Sequence, residues 1–567
     1  MKRILLPLLA VALLAFPATR LAAQEQDGAN KPVAVVTIAS YERLMTDIAF
    51  IGDLTGNPDL DKNLEGMIQL FTQGQGLAGL DKKRPLGVTL TTDGLNFQPL
   101  IVLPVTDLKK LLEALEGLVG PAEDAGDGMF QLDVFNQQVF VKEHNTWAYV
   151  STSSDPLANL PKDGGALFAG LEKTYDIAGR LHVQNVPEVF RTMLIDQLRA
   201  GVKAGLARQS SEGDEAFETR SKAVEAQIDS LTKVINDLEQ LTLGLAIDPK
   251  AKTAHLDLSF SAVAGTDTAK QLSLTKATTS SFAGFLVPEA AASLNLTTEL
   301  GKNDAEQFVA GLEAIRTQAL EHIEGETKLP DESSKKLARE MVGQVFDAIK
   351  ATFESGKIDV GATLNLGEKS MALVVGAYVA DPKSLDEALR KFAKLAEDEP
   401  NFPKIKFDAE THAGVRFHTA SIPVPADRKI AKVLGERLDV SVGIGEKAVY
   451  LALGTDSLNT VKMLIDRSKS EADKQLPPFQ LNVRLEPIFQ FAAALADDDK
   501  DDDGGIDLAA LAADLAKAPG KDHLRLEYMP QPNGATLRLS AEEGVLQLLG
   551  TALKNAQASG VIPGFGP

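Results

Sequence analysis

The 567-residue chain contains no cysteine. It therefore has no disulfide, no zinc–thiolate or iron–sulfur site, and no thiol nucleophile. Aromatic residues make up only 5% of it, with one tryptophan, which leaves little aromatic lining for a ligand cavity. Cations are in deficit, at 58 Lys and Arg against 79 Asp and Glu, so the formal charge is −21. Such a surface repels nucleic acid and anionic lipid and suits solubility or association with cations. Long apolar runs are missing after residue 23, so no later stretch is expected to span a bilayer.

The N-terminus supplies what the rest lacks. Lys2 and Arg3 precede an apolar run from Ile4 to Phe16 and a small-residue exit at Ala22-Ala23. This order predicts a secretory signal peptide over residues 1–23 and an extracytoplasmic protein, periplasmic or secreted. Cleavage would remove three cations and no acid, taking the charge from −21 to about −24. In an oxidising compartment a chain this long builds cores that need no disulfides.

The chain reads as written twice. Leu181, Val183 and Pro187 return as Leu481, Val483 and Pro487, and Tyr149, Asp155 and Leu157 return as Tyr450, Asp456 and Leu458, at offsets of 300 and 301. Self-similarity at a fixed period reports architecture. The order of strand-like and helix-like segments predicts a long module at 24–175, a short one at 176–285, a second long one at 286–475 and a second short one at 476–567. Hairpin signals such as Asp93-Gly94 and Asn533-Gly534, with paired helices between strands, point to an α+β class. Antiparallel β-sheets carry helices packed on one face. The apolar spacing from Phe217 to Leu238 predicts one long helix, packed on its own sheet or on the helix that begins at Pro187, with a coiled-coil seam as the alternative.

Catalytic signatures are sparse. The seven histidines show no HExxH spacing. Read as one strand, residues 410–418 place Glu410, His412, Arg416 and His418 on a polar outer face. Six residues of strand part the two histidines by about 20 Å, too far to share an ion. Ser230, Ser273 and Ser333 each precede a lysine by three positions, without the companion signatures that S-x-x-K catalysis requires. Gly74, Gly76 and Gly79 spell GxGxxG but follow a helix and precede a strand, the reverse of a dinucleotide fingerprint, and are expected to form a loop.

One acidic stretch has ion-site character. Asp499, Asp501, Asp503 and Asp507 occupy positions 1, 3, 5 and 9 of a calcium-type loop, with Gly504 at 6 and Ile506 at 8. Position 12, which should give a bidentate carboxylate, is Ala510. The segment therefore reads as a solvated acidic loop between helices, with weak Ca2+ binding as the alternative. No other metal or cofactor is expected.

The segments SYERLMTDIAFIGDLTGNPDL, FTQGQGLAGLDKKRPLG, LVGPAEDAGDGMFQLD and RLHVQNVPEVFR resemble a group of large exported proteins of planctomycete-type bacteria that carry no assigned activity. The resemblance is densest over residues 33–205. It implies an extracytoplasmic location and no enzymatic role, and brings no functional residues with it. The expected function is non-catalytic, that of a binding or structural protein with an envelope or extracellular partner and no nucleic-acid ligand. The alternatives are a carrier of apolar, lipid-like ligands held between sheets and helices, and a hydrolase with a dispersed carboxylate site.

Overall fold

Alternation of apolar and polar residues dictates the strands. In VAVVTI, Val33 and Val35 are buried while Val36 on the opposite side is not, as a pleated strand with two different faces requires. The computed structural model describes residues 31–134, 136–206, 214–325, 332–396, 403–424, 435–495, 508–516 and 520–558. The protein is mixed α and β with extensive antiparallel sheet. It divides into two compact units. The first comprises residues 1–270 with 532–536 and 549–567, and the second residues 271–531 with 537–548.

The first unit holds strands β1 (Lys31–Ile38), β2 (Leu86–Thr92), β3 (Phe97–Pro104), β4 (Glu123–Gly126), β5 (Met129–Val134), β6 (Gln137–His144), β7 (Trp147–Ser151), β8 (Ile177–His182), β9 (Leu238–Asp248) and β10 (Thr253–Ala262). All pairs are antiparallel, in the order β10-β9-β8-β1-β2-β3-β7-β6-β5-β4. Strand β8 pairs with β1, so strands on both sides of residue 175 share one sheet.

Its helices are α1 (Tyr41–Thr55), α2 (Leu60–Phe71), α3 (Leu108–Val119), α4 (Leu171–Thr174), α5 (Glu188–Gly205) and α6 (Asp214–Asp237). Ser40 caps α1 by accepting from the Arg43 N–H at 3.0 Å, and Asp107 caps α3 through Lys110. Helix α3 buries Leu108, Leu111 and Leu112 on Leu132, Val139 and Val141. The opposite face of the sheet carries Trp147 and Tyr149 of the adjacent β7 under Leu157, Phe168 and Leu171. Helix α6 pairs with α5 through Arg199–Asp229 at 3.4 Å and Lys203–Glu225 at 3.0 Å. The unit boundary at 270/271 falls within α7 (Asp267–Leu274).

The second unit holds β11 (Ala292–Glu299), β12 (Lys357–Gly367), β13 (Ser370–Tyr378), β14 (Lys406–His412), β15 (Val415–Pro423), β16 (Arg437–Ile444), β17 (Ala448–Gly454), β18 (Phe479–Arg484) and β19 (His523–Gln531). Strand β20 (Gly534–Ala541) follows β19 after a turn in which Asn533 adopts a φ of 55°. The pairing order is β19-β18-β11-β12-β13-β17-β16-β15-β14, again wholly antiparallel. Matched from β11 onward, this is the strand order of the first unit.

Its helices are α8 (Lys302–Gly325), α9 (Glu332–Glu354), α10 (Pro382–Leu395), α11 (Ser457–Ser470), α12 (Leu485–Leu495) and α13 (Leu508–Leu515), and α14 (Glu543–Ala558) ends the described chain. The core joins Phe282, Phe285, Phe417 and Tyr450 to Val461, Leu464 and Ile465 of α11. No helix among the described residues is long and apolar enough to cross a membrane.

Candidate functional site

Two places concentrate features that packing alone does not require. The first lies between α10 and β15. Asp381 caps α10, accepting from the Ser384 backbone N–H at 3.4 Å and from its hydroxyl at 2.7 Å, and Pro382 suits the first turn. The helical repeat then places Asp386 and Arg390 on one face, joined at 3.0 Å. Across from them, Arg416 reaches Asp386 at 2.8 Å and Asp408 at 2.9 Å, and Arg390 reaches Asp408 at 2.9 Å. His418, 2% exposed, completes the cluster with Nε2 3.0 Å from Asp386.

The tautomer of His418 follows from its partners. The Asp408 backbone N–H donates to Nδ1 at 2.9 Å, so Nδ1 is the acceptor and Nε2 carries the proton that Asp386 receives. Burial lowers the imidazole pKa against the pull of Asp386, which keeps the ring neutral. Burial pushes the Asp386 carboxyl up, but the hydrogen bond from Arg416 and the charge of Arg390 outweigh it, so it titrates below its usual range. Both ring nitrogens are occupied, leaving the histidine no free nitrogen with which to take a proton from a substrate. The cluster joins β15 to α10; it is not a general-base site.

This arrangement corrects the reading of residues 410–418 as one strand. The chain turns at Ala413 and Gly414, whose φ values are 54° and 88°. His412 pairs across the hairpin with Val415 and bonds Asp466 of α11 at 2.9 Å, whereas His418 lies on the opposite face. His418 is buried, not part of an outer face. The local signal in the sequence is Gly414, a lone glycine between two alternating segments.

A second acidic pair lies in the first unit. Asp176 is held by Arg43 at 2.7 Å and accepts the Ile247 N–H at 2.6 Å. Asp47, 3% exposed, stands 3.7 Å from Arg43. Burial, then the charge of Asp176, raises its pKa to about 7 against the pull of Arg43. Glycosidase-type chemistry needs two carboxylates facing a substrate. Asp47 and Asp176 are buried, and Asp386 and Asp408 are bound by two arginines.

The second place is one face of the first sheet. Cross-strand partners share a face, so the register aligns three rows over β2, β1, β8, β9 and β10. They read Leu86-Ile38-Ile177-Leu245-Leu256, Val88-Val36-Gly179-Leu243-Leu258 and Leu90-Ala34-Leu181-Leu241-Phe260. None of the fifteen residues is polar. Leu243 is 51% exposed and Val36 43%, and Ile177, Leu256 and Leu258 are also exposed. In the second unit the counterpart of the central row, Val360-Leu296-Phe479-Tyr528, is half-buried. Alternating leucines in LTLGLAI announce one apolar face, but sequence cannot say whether anything covers it.

The sites expected from sequence fare differently. Asp499, Asp501, Asp503 and Asp507 lie outside the described residues, as does the signal segment 1–23. Gly74, Gly76 and Gly79 form a left-handed loop, in which the Thr106 N–H donates to the Gly79 carbonyl at 2.8 Å just before α3. Ser230 lies within α6, and its neighbour Lys233 pairs with Asp267 at 2.7 Å. Among the described residues no group of three His, Asp or Glu side chains is placed to hold a metal. Comparison with protein-family models, with curated proteins and with solved structures finds no match.

Proposed function

We propose that this chain is a non-catalytic binding protein of the extracytoplasmic space, built on an internally repeated antiparallel scaffold. The exposed apolar face of the first sheet carries the reading, because contiguous exposed apolar surface on a soluble protein marks a binding site. The shared strand order and the recurrence of Tyr149 as Tyr450 support the repeat. The signal-like N-terminus supports export.

The same face favours a carrier of apolar ligands as the more specific form of this reading. Solvent extraction of the protein purified from its own cells, followed by mass spectrometry, tests it. Co-purifying apolar molecules near one per chain are expected, together with a mature N-terminus at Gln24. A chain that starts at Met1 would remove the export reading. Protein free of apolar material would remove the carrier reading.

A further inference from the structure

We infer that the open half of the first sheet, with α5 beside it, is a site for the aliphatic chain of a zwitterionic lipid. The inference rests on the binding reading above and adds the place and chemistry of the ligand. The floor is the central row from Val88 to Leu258, crossing five strands. At about 4.8 Å between strands it is about 19 Å long, close to the reach of an extended long acyl chain. Gly179 interrupts the row, leaving a notch between Val36 and Leu243 where an added Cβ would meet nothing closer than 3.9 Å.

Helix α5 lies beside this floor. Phe190 packs on Phe97 of β3 at 5.1 Å between ring centroids, and Phe97 shares the face of Leu90 and Val88 through the pleat. Further along, α5 exposes Met193 and Leu194, each at 52%, with Leu198 and Val202. One unit thus contains a sheet face with five exposed apolar residues and an exposed apolar helix stripe. In the second unit the corresponding helix, α12, packs against β12.

Charge and hydrogen-bonding capacity decide the occupant. The fifteen floor residues offer no side-chain polar atom, and the strand backbones are paired within the sheet. A protein partner brings about ten hydrogen bonds to an interface of ordinary size, and this floor answers none of them. An aliphatic chain asks for none. The formal charge of −21 disfavours an anionic headgroup and leaves a zwitterionic one as the fitting source.

The test is titration of the full mature chain with nitrobenzoxadiazole-labelled phosphatidylcholine, read by fluorescence, alongside light scattering for molecular mass. Saturable uptake is expected. Leu243→Glu should weaken it at least about tenfold, the scale of one lost leucine contact. A Cβ at Gly179 meets nothing closer than 3.9 Å, so Gly179→Val, which builds into the notch, should weaken uptake, and an unchanged melting temperature measured alongside separates occupancy from misfolding. Leu451→Glu, on an exposed residue of the second unit, should leave uptake unchanged. Uptake equal in wild type, Leu243→Glu and Gly179→Val overturns the site but keeps the binding reading. A dimer that Leu243→Glu dissociates, without lipid uptake, assigns the face to a second copy and overturns the proposal. A monomer that takes up no lipid overturns it too.

Discussion

At the scale of single residues, two buried carboxylates respond to pH in opposite directions. Asp47 has its pKa raised to about 7, so between the ordinary carboxylate range and pH 7 the folded state binds more protons than the unfolded one. Stability from this group is therefore lost as pH rises through that window. Asp47→Asn keeps the shape without the charge, and should raise the melting temperature by about 5 °C at pH 8 with little change at pH 5. Calorimetry at the two pH values decides it, and an equal shift at both would exclude titration of Asp47 as the cause. For His418 and Asp386 the folded pKa values are depressed, so their stability is present at neutral pH. It is lost as pH falls through about 6.5 and then through the carboxylate range. Asp386→Ala leaves His418 without an acceptor and two arginines short of a partner. Because both guanidinium groups are partly exposed, the loss is expected near 2 kcal/mol rather than the larger cost of a fully buried pair. Urea unfolding at pH 7.5 measures it, and an unchanged midpoint would mean that solvent already screens the cluster.

At the scale of elements, strand glycines set how closely the aromatic core approaches. A Cβ on Gly361 of β12 would stand 2.5 Å from Phe282 and 2.9 Å from Phe285, and one on Gly87 of β2 would stand 2.8 Å from Phe168. Both glycines sit opposite a buried polar residue of the adjacent strand, Asn295 and Thr37. Gly361→Ala and Gly87→Ala should each destabilise by about 1–3 kcal/mol through overpacking, measurable as lowered denaturation midpoints, whereas Gly179→Ala should cost little. The contrast also shows what sequence carries and what it does not. Pro187 marks α5 and Asp93-Gly94 marks the β2–β3 hairpin, because each signal is local. The insertion of β8 beside β1 was not legible, since that pairing joins residues about 140 apart through backbone hydrogen bonds that leave no trace in side-chain pattern. The His418 cluster was hidden for the same reason. Its acid lies 32 residues away on a helix whose sequence differs little from an ordinary amphipathic one.

At the scale of the whole molecule, the two units share a strand order but differ in what covers it. Asp107 and Asp381 both cap a helix, α3 and α10, five residues before Leu112 and Asp386. In the first unit that position packs in an apolar cluster with Val141; in the second it anchors arginines and a histidine. The central row of the apolar sheet face, half-buried in the second unit, is exposed at Val36, Leu243 and Leu258 in the first. The two units thus differ in what covers sheets of one strand order, and the formal charge of −21 acts on any ligand that approaches them. That charge separates lipid headgroups before any contact is made. If the chain takes lipid from a surface, transfer from zwitterionic vesicles should exceed transfer from vesicles rich in phosphatidylglycerol by about tenfold at 10 mM salt, where the Debye length is about 30 Å. The ratio should approach one at 1 M salt, where it is about 3 Å. Stopped-flow transfer kinetics with labelled lipid measure both. A preference for anionic vesicles at low salt would require a local cationic patch strong enough to overcome the whole-molecule field, and would move the search for the headgroup contact to the arginines and lysine of α5.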